Sequence, residues 1–396
     1  MHTSRNIVVK PFSCVPIDRR EIEVCEHKGI GHPDSIADGV CEAVSRELSL
    51  AYLQEYGQVL HHNLDKGLLV AGQSAPRFGG GQVVEPIKLI VCGRATCIRN
   101  EIDVRQIALT AAQRYLTRHI RAGAQNFEIR TEIKEGSGNL KEVFAREASI
   151  PLANDTSIGV GFAPYSRLEL AVLGISHVLK SPEFRKAFPC AGDDFKIMGH
   201  RVNGATTFTI ALAFVDRHID SAGHYFALKR EIHEYLVNRL DAPATLRLNT
   251  LDNPATKDEN GLYLTVSGLS AEMGDDGQVG RGNRVGGLIT PARVMSLEAA
   301  AGKNPVAHVG KIYNVLATLM ARDIHATLDE VENVSVQLVS AIGQPIDHPQ
   351  VAAIEIGTAQ AASDELRKSV TAIAEGWLQR TNEVTGLILE EKVAVF

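Results

Sequence analysis

One stretch near the start of the chain limits the possible fold more than any other, because it fixes where a buried helix begins. It is Glu26-His27-Lys28-Gly29-Ile30-Gly31-His32-Pro33-Asp34-Ser35-Ile36-Ala37-Asp38. Pro33 suits the first position of a helix, where its missing N–H costs no hydrogen bond, and Asp34 and Ser35 suit the first turn. Apolar residues then recur at helical spacing and predict a helix over 32–53 with one buried face: Ile36, Val40, Val44, Leu48 and Ala51.

The residues just before this helix favour a site for an anion. Gly29 and Gly31 let the backbone approach a neighbour closely, and a helix N-terminus carries free N–H groups and the positive end of the helix dipole. His32 can donate a hydrogen bond to an anion, and the carboxylate of Asp34 can bind a metal. A capped surface helix explains the same residues, so this stretch alone leaves both interpretations open.

Composition excludes several classes of protein. The chain has 396 residues, 44% of them hydrophobic and 22% charged, which is typical of a soluble globular protein with two or three domains. Its formal net charge of −6 and its lack of Lys/Arg runs argue against a nucleic-acid partner, and no apolar stretch is long enough for a membrane span. The N-terminus lacks a signal-peptide pattern and the six cysteines show neither zinc nor redox spacing, so we expect a cytoplasmic location.

Strand-like and helix-like segments alternate along the whole chain, which predicts a mixed α/β or α+β fold in several layers. Residues 68–71 are expected to form a buried strand. A helix is expected to begin at Val306, so that Lys303 stands just before a helix N-terminus. A cation there is unfavourable unless an anion offsets it, and we therefore interpret Lys303 as a residue that binds one.

Three loops combine glycine with polar side chains and are further candidates for binding. The loop 154–157 places Asp155 where it can either cap a turn or bind an ammonium group. The stretch 274–284 holds two aspartates, four glycines and two arginines, and so many glycines are expected where a backbone meets a ligand. A third turn, over 135–141, has a glycine spacing that fits neither a P-loop nor a Rossmann fingerprint. It includes Gly136, Ser137, Gly138 and Asn139.

Taken in order, these stretches resemble the archaeal-type (short-form) methionine adenosyltransferases, also called S-adenosylmethionine synthetases. The resemblance covers most of the chain and rests on residues 26–34, 60–74, 78–81, 151–164, 193–199, 274–284, 296–314 and 340–343. It implies that the sulfur of methionine attacks C5′ of ATP and expels tripolyphosphate, which is then hydrolysed to phosphate and diphosphate. It also implies ATP and L-methionine as substrates and Mg²⁺ as a cofactor, with K⁺ left open as a further cation.

The resemblance also assigns roles to individual residues. Four residues match positions that contact phosphate in the family: His32, Lys196, Arg281 and Lys303. Asp34 matches the metal-binding aspartate, and Glu26 matches a glutamate that precedes it. Asp155 and Asp275 match the acidic positions that line the methionine and adenosine pockets, and the turn 136–139 is similar to the short-form ATP-binding loop.

Two positions depart from the long-form bacterial and eukaryotic enzymes. Those enzymes follow Gly-Lys-Asp-Pro with a lysine and a metal-binding aspartate, and the matching residues 304–310 contain neither. They also carry a lysine directly after the arginine that matches Arg281, where this chain has Gly282. Arg284 is the candidate substitute for that lysine.

The missing aspartate leads to a hypothesis about the metal. Mg²⁺ prefers carboxylate, phosphate and water oxygens, and Asp34 supplies one protein oxygen or two. Asp276 is a spare carboxylate in the glycine-rich stretch, and we hypothesise that it serves a second metal ion, directly or through water. An Asp276 that only caps its turn is the alternative.

The implied fold is α+β, with three intertwined, similar domains whose sheets are covered by helices. The approximate limits are 1–150, 151–260 and 261–396, with segments exchanged between domains. The implied assembly is a two-fold homodimer with active sites at the interface. Two other functions use the same cations: a Mg²⁺-dependent polyphosphate or nucleotide hydrolase, and an inactive regulatory paralogue.

Overall fold

The computed structural model describes residues 5–12, 15–97, 103–137 and 150–396. Within these ranges it has eight α-helices: α1 (Pro33–Tyr56), α2 (Val104–His119), α3 (Arg167–Lys180), α4 (Pro182–Ala187), α5 (Ala222–Val237), α6 (Val309–Thr327), α7 (Asp364–Gln379) and α8 (Thr381–Leu389). The strands described are β1 (Ile7–Pro11), β2 (Ile22–Lys28), β3 (His62–Asn63), β4 (Leu68–Val70), β5 (Gln73–Ala75), β6 (Gln82–Glu85), β7 (Ile87–Ala95), β8 (Phe127–Lys134), β9 (Ile158–Ala163), β10 (Ala191–Val202), β11 (Ala205–Val215), β12 (Thr245–Leu248), β13 (Leu264–Thr265), β14 (Gly277–Gln278), β15 (Asn333–Val339) and β16 (Val351–Gly357).

The strands form three main sheets, each built from distant parts of the chain. The first has the order β1-β16-β15-β9, and the second has the order β12-β11-β10-β2 with β13 beside β11. The third has the order β14-β4-β7-β3 with β8 beside β7, and β5 and β6 form a separate ribbon. Both parallel and antiparallel pairs occur, so each sheet needs long connections through other layers.

Helices cover each sheet and bury one apolar core against it. The first core joins the β15 and β16 sheet to α6, α7 and α8, the second joins β10 and β11 to α3, α4 and α5, and the third joins β7 to α1 and α2. The predicted α+β class is therefore confirmed, because helices and sheets pack as layers around these cores. Among the described residues, no helix is both long enough and apolar enough to cross a membrane.

The start of α1 is set by its own sequence. Pro33 occupies the first helical position, and the ring of the N-cap residue His32 accepts a hydrogen bond from the backbone N–H of Asp34. Gly57 caps the C-terminus of the helix, and its φ of 68° is a left-handed conformation that suits glycine. The predicted helix is thus correct, although it extends three residues beyond Leu53.

The two glycines before α1 approach protein rather than open solvent. The N–H of Gly29 donates to the carbonyl of Phe195, and the N–H of Gly31 donates to the carbonyl of Asp193. A Cβ at Gly31 would overlap the backbone of Asp193 and Asp194. The close approach that the glycines predicted is therefore an approach to β10, which brings Lys196 next to the start of α1.

Two predictions about elements are wrong in detail. The segment 68–71 forms the short strand β4, in which Leu69 is buried while Leu68 and Val70 are exposed, so the strand alternates instead of being buried on both faces. The helix expected at Val306 begins at Val309, because the backbone N–H groups of 306 and 307 bond to the side chain of Asn304 instead. Lys303 therefore does not stand at a helix N-terminus.

Candidate active site

Charged side chains from three elements meet at the start of α1. The ammonium of Lys28, at the end of β2, lies 2.8 Å from Oδ2 of Asp34 and donates to the carbonyl of Arg281 at 2.7 Å. The other oxygen of Asp34 accepts the backbone N–H of Gln278 at 2.9 Å. Lys28 therefore ties the helix start to the glycine-rich stretch 274–284, and the side chains of Lys28 and Asp34 are about nine-tenths buried.

Two lysines face each other across neighbouring strands. Lys28 on β2 is opposite Lys196 on β10 in the antiparallel register, so both side chains leave the same face of the sheet. Like charges opposite each other are unfavourable, and the carboxylate of Glu26 lies between them, 3.8 Å from each ammonium. The Lys196 side chain is 44% exposed, so this cation remains accessible to a ligand.

His32 completes this group as a hydrogen-bond donor. Burial, with a smaller effect from the Lys28 ammonium, lowers the pKa of His32 to about 4, so the ring is neutral at pH 7. Its Nδ1 accepts the N–H of Asp34 at 3.2 Å, which leaves the proton on Nε2. His32 thus offers an N–H to an anion without carrying a full positive charge.

The glycine-rich stretch presents Arg281 on a firmly held turn. The guanidinium of Arg281 is exposed and forms no ion pair or side-chain hydrogen bond with the residues that the structure describes. The guanidinium of Arg284 points back into the turn and donates to the carbonyls of Gly280 and Gly282, at 2.6 and 2.9 Å. Arg284 therefore braces the turn, and its proposed contact with substrate remains a prediction.

The two aspartates of this stretch have different surroundings. Asp275 is exposed, and one of its oxygens accepts the hydroxyl of Ser270 at 3.1 Å. Asp276 is also exposed, and its Oδ1 accepts the N–H of Ala71 at 2.8 Å, a contact with the loop after β4 rather than with its own turn. Ser270 also binds the buried carboxylate of Asp194, whose pKa burial raises to about 7.

Lys303 finds its anions within the chain. Its side chain is only 4% exposed, and its ammonium pairs with Glu298 and lies 3.4 Å from Oδ2 of Asp65. The anion expected from its position before a helix is thus supplied by two carboxylates of this chain. Burial works to raise the pKa of Asp65, but the ammoniums of Lys66 and Lys303 outweigh burial and hold that pKa below its usual value.

The remaining predicted residues lie in other loops. Asp155 is half-buried, its carboxylate accepts the N–H of Thr156 at 2.8 Å, and its backbone carbonyl accepts the hydroxyl of Ser340. Gly136 packs against the ring of the buried His61, so closely that a Cβ would touch that ring. Ser137 follows it, whereas Gly138 and Asn139 lie outside the described residues.

The protein ligands for a metal are few. In the described ranges no group of three or more His, Cys, Asp or Glu side chains is arranged to bind a metal ion. Mg²⁺ commonly keeps several waters and binds through one or two carboxylates together with substrate phosphates. The carboxylate of Asp34 can serve such an ion if it exchanges its contact with Lys28, and Asp276 is the candidate for a second ion.

The sequence alone assigned no role to Lys28 or Asp38, both of which contact the glycine-rich stretch 274–284. Lys28 shares a strand face with Glu26, a spacing of two that could have marked it. Asp38 lies one helical turn after Asp34, and its buried Oδ1 accepts the N–H of Gly280 at 2.7 Å. The contacts of Lys28 with Arg281 and of Asp38 with Gly280 join positions more than 240 apart, beyond the reach of any local pattern.

Comparisons with known proteins match nearly the whole chain to a single family. A family described as S-adenosylmethionine synthetase (AdoMet synthetase) matches residues 5–392. Proteins named S-adenosylmethionine synthase from Thermococcus gammatolerans and Pyrococcus furiosus are 48% and 47% identical, with 99% of this chain and 99% and 100% of theirs covered. The protein of that name from Methanothermobacter marburgensis is 42% identical over 99% of this chain and 100% of its own length.

One solved structure shares the fold. It is described as an unusual S-adenosylmethionine synthetase from Campylobacter jejuni, with a TM-score of 0.59 and 14% sequence identity. The match covers 92% of this chain and 90% of that one. At this identity the likeness concerns the arrangement of helices and strands alone.

Proposed function

Since the chain belongs to the S-adenosylmethionine synthetase family and is a methionine adenosyltransferase, we propose that four of its side chains bind the triphosphate of ATP: His32, Lys196, Arg281 and Lys303. The observation that carries this proposal is the pair of lysines, Lys28 and Lys196, held opposite each other with the carboxylate of Glu26 between them. Such a pair is unfavourable by itself, and a polyanion offsets the repulsion through charge-assisted hydrogen bonds.

The chemistry asks for charge stabilisation rather than for a base. A C–S bond forms between the methionine sulfur and C5′ of ATP, while the C5′–O bond breaks and its electron pair leaves with tripolyphosphate. The thioether sulfur carries no proton, so no general base is needed. Negative charge grows on the leaving oxygen, and preorganised cations and N–H donors aimed at that oxygen lower the barrier. Water then cleaves the tripolyphosphate into phosphate and diphosphate.

We assign the metal to the same end of α1. The family generally uses Mg²⁺, and Asp34 is its main proposed protein ligand in this chain, with Asp276 serving a second ion. When bound, Mg²⁺ neutralises phosphate charge and orients the chain of phosphates. Loss of Mg²⁺ activation in Asp34→Asn supports the first assignment, and an unchanged Mg²⁺ titration in Asp276→Asn would exclude the second. K⁺ as a further cation is tested by the same titration with potassium salts.

The acidic and glycine-rich loops are proposed to hold the other parts of the substrates. Asp155 and Asp275 are proposed beside methionine and adenosine, where a carboxylate can pair with the methionine ammonium. Glu26 is proposed to adjust the charge of the phosphate site between its two lysines. The turn 136–139 is proposed as part of the ATP-binding loop.

The decisive experiment measures product and not ATP loss. Purified protein with ATP, L-methionine and Mg²⁺ is expected to yield S-adenosylmethionine by mass spectrometry, together with phosphate and diphosphate. Phosphate release that does not require methionine would instead indicate a hydrolase. Lys196→Met is the variant to compare, because it keeps the side-chain length and removes only the cation. Near-normal turnover in Lys196→Met would remove Lys196 from the site.

We also propose a homodimer with active sites at the interface. The support is the family resemblance, together with exposed apolar side chains on the short strand β4, Leu68 and Val70. Sedimentation at assay concentration is expected to show a dimer or a larger even oligomer. A fully active monomer would exclude this assembly.

A further inference from the structure

Three carboxylates follow one face of α1 at intervals of one turn, and each holds a loop. Asp34 accepts the N–H of Gln278 at 2.9 Å, Asp38 accepts that of Gly280 at 2.7 Å, and Glu42 accepts that of Gly302 at 2.9 Å. Residues four apart on a helix share a face, so the spacing alone aligns the three acceptors. The loops that they hold carry the two proposed phosphate ligands that lie farthest from α1 in the sequence, Arg281 and Lys303.

Side chains of three residues hold the backbone around Arg281. Asp38 accepts the N–H of Gly280, while the guanidinium of Arg284 donates to the carbonyls of Gly280 and Gly282. The ammonium of Lys28 binds the carbonyl of Arg281 itself. A turn of glycines, which would otherwise be free to take many conformations, is thus held in one while the side chain of Arg281 stays exposed.

Burial of the Asp38 carboxylate costs free energy of folding. The residue is 1% exposed, and its Oδ1 accepts the N–H of Gly280, while the backbone of Gly282 and the charge of Arg284 also favour its ionised form. Burial raises the pKa of Asp38 to about 7. A Cβ at Gly282 would lie 2.2 Å from Oδ2 of Asp38, so a side chain at this position, such as the lysine of the long-form enzymes, would require Asp38 to move. Burial of a carboxylate costs free energy, and proteins keep such costs mainly where the residue has a function.

We propose that Asp38 is a positioning residue of the transferase, which fixes the turn 280–282 so that the guanidinium of Arg281 points at the phosphates of ATP. The inference deepens the proposed function and rests on the role of Arg281 stated there. Asp38 itself does not touch substrate in this proposal. It restricts the conformations of Arg281 before ATP binds, so that less conformational entropy is lost on binding.

The test is a double-mutant cycle between the two residues, with kcat and the KM of each substrate measured for S-adenosylmethionine formation. Asp38→Ala is expected to lower kcat about 10- to 100-fold, as for a misplaced catalytic group, and to leave the KM of methionine nearly unchanged. In an Arg281→Ala background the same change should have little further effect, because Asp38 acts only through Arg281. Equal losses from Asp38→Ala in both backgrounds would overturn the inference.

A second variant separates this role from a purely structural one. Asp38→Asn keeps the shape and the carbonyl acceptor for Gly280, so it is expected to retain most of the turnover that Asp38→Ala loses. Ser49→Ala is the matched control, since Ser49 is buried on the same helix and its hydroxyl donates to a helix carbonyl. It should alter stability without altering kcat. If Asp38→Asn folds and has a kcat as low as that of Asp38→Ala, the hydrogen bond to Gly280 does not position the turn, and the inference is wrong.

The two levels of the proposal fail differently. If Arg281→Ala alone leaves kcat unchanged, the proposed role of Arg281 is wrong, and the role of Asp38 falls with it. If Arg281→Ala lowers kcat and the cycle is additive, only the positioning role of Asp38 is wrong. Circular dichroism and thermal unfolding of each variant confirm that the compared proteins are folded.

Discussion

Lys303 offers a sharp test of the site, because its buried ammonium has both a structural and a proposed catalytic role. The side chains of Lys303 and Asp65 are 4% and 6% exposed, so their pairing is shielded from water. Lys303→Met keeps the length of the side chain and removes the charge. Removing one member of a buried ion pair costs about 3–5 kcal/mol of unfolding free energy, and because Asp65 keeps Lys66 at 2.7 Å we expect about 3 kcal/mol.

The catalytic effect has a separate size. One charge-assisted contact to the developing negative charge contributes about 2–4 kcal/mol to transition-state stabilisation. That corresponds to a fall in kcat of about 30- to 1000-fold. The assays are urea unfolding for stability and initial rates of S-adenosylmethionine formation at saturating substrates.

The double variant Lys303→Met/Asp65→Asn separates the two effects. It removes the more deeply buried of the two carboxylates that lose Lys303, since Glu298 is 30% exposed and Asp65 only 6%, so it is expected to recover part of the lost stability. It should not recover turnover, since the cation is still missing. If turnover returns together with stability, Lys303 only holds the fold, and its role at phosphate is refuted.

Three further predictions test the surroundings of the site. Gly31→Ala forces a Cβ into the backbone of β10 and should cost about 3 kcal/mol of unfolding free energy. Gly174→Ala, on the exposed face of α3, should instead gain about 1 kcal/mol, and equal effects in urea unfolding would contradict the packing described. Burial lowers the pKa of His62 to about 3, so the protein is expected to lose stability as the pH falls from 6.5 toward 3. Between pH 6.5 and 5, His62→Gln should lessen this loss by about 2 kcal/mol, and an unchanged pH dependence of stability would contradict the prediction. Gly136→Ala should raise the KM of ATP but not that of methionine, and His61→Ala in the same chain should restore it by making room; an unchanged KM of ATP would separate this turn from the ATP site.

The sequence by itself determined the elements whose causes are local. Pro33 and Asp34 mark the first turn of α1, and the apolar face that follows them is buried as its spacing predicts. The alternation of strand and helix patterns was enough for the α+β class. Local signals fail where backbone groups find partners in side chains, as when Asn304 takes the N–H groups that would have started a helix at Val306.

Only the tertiary structure decided how the charges of the site are paired. The anion predicted for Lys303 is Glu298 together with Asp65, and the neighbour predicted for Gly31 is the backbone of β10. No local pattern predicts the hydrogen bond of Asp38, since its partner Gly280 lies 242 residues away. Periodicity and capping act over a few residues, whereas these pairings arise when packing of the three cores brings distant loops to one face of α1.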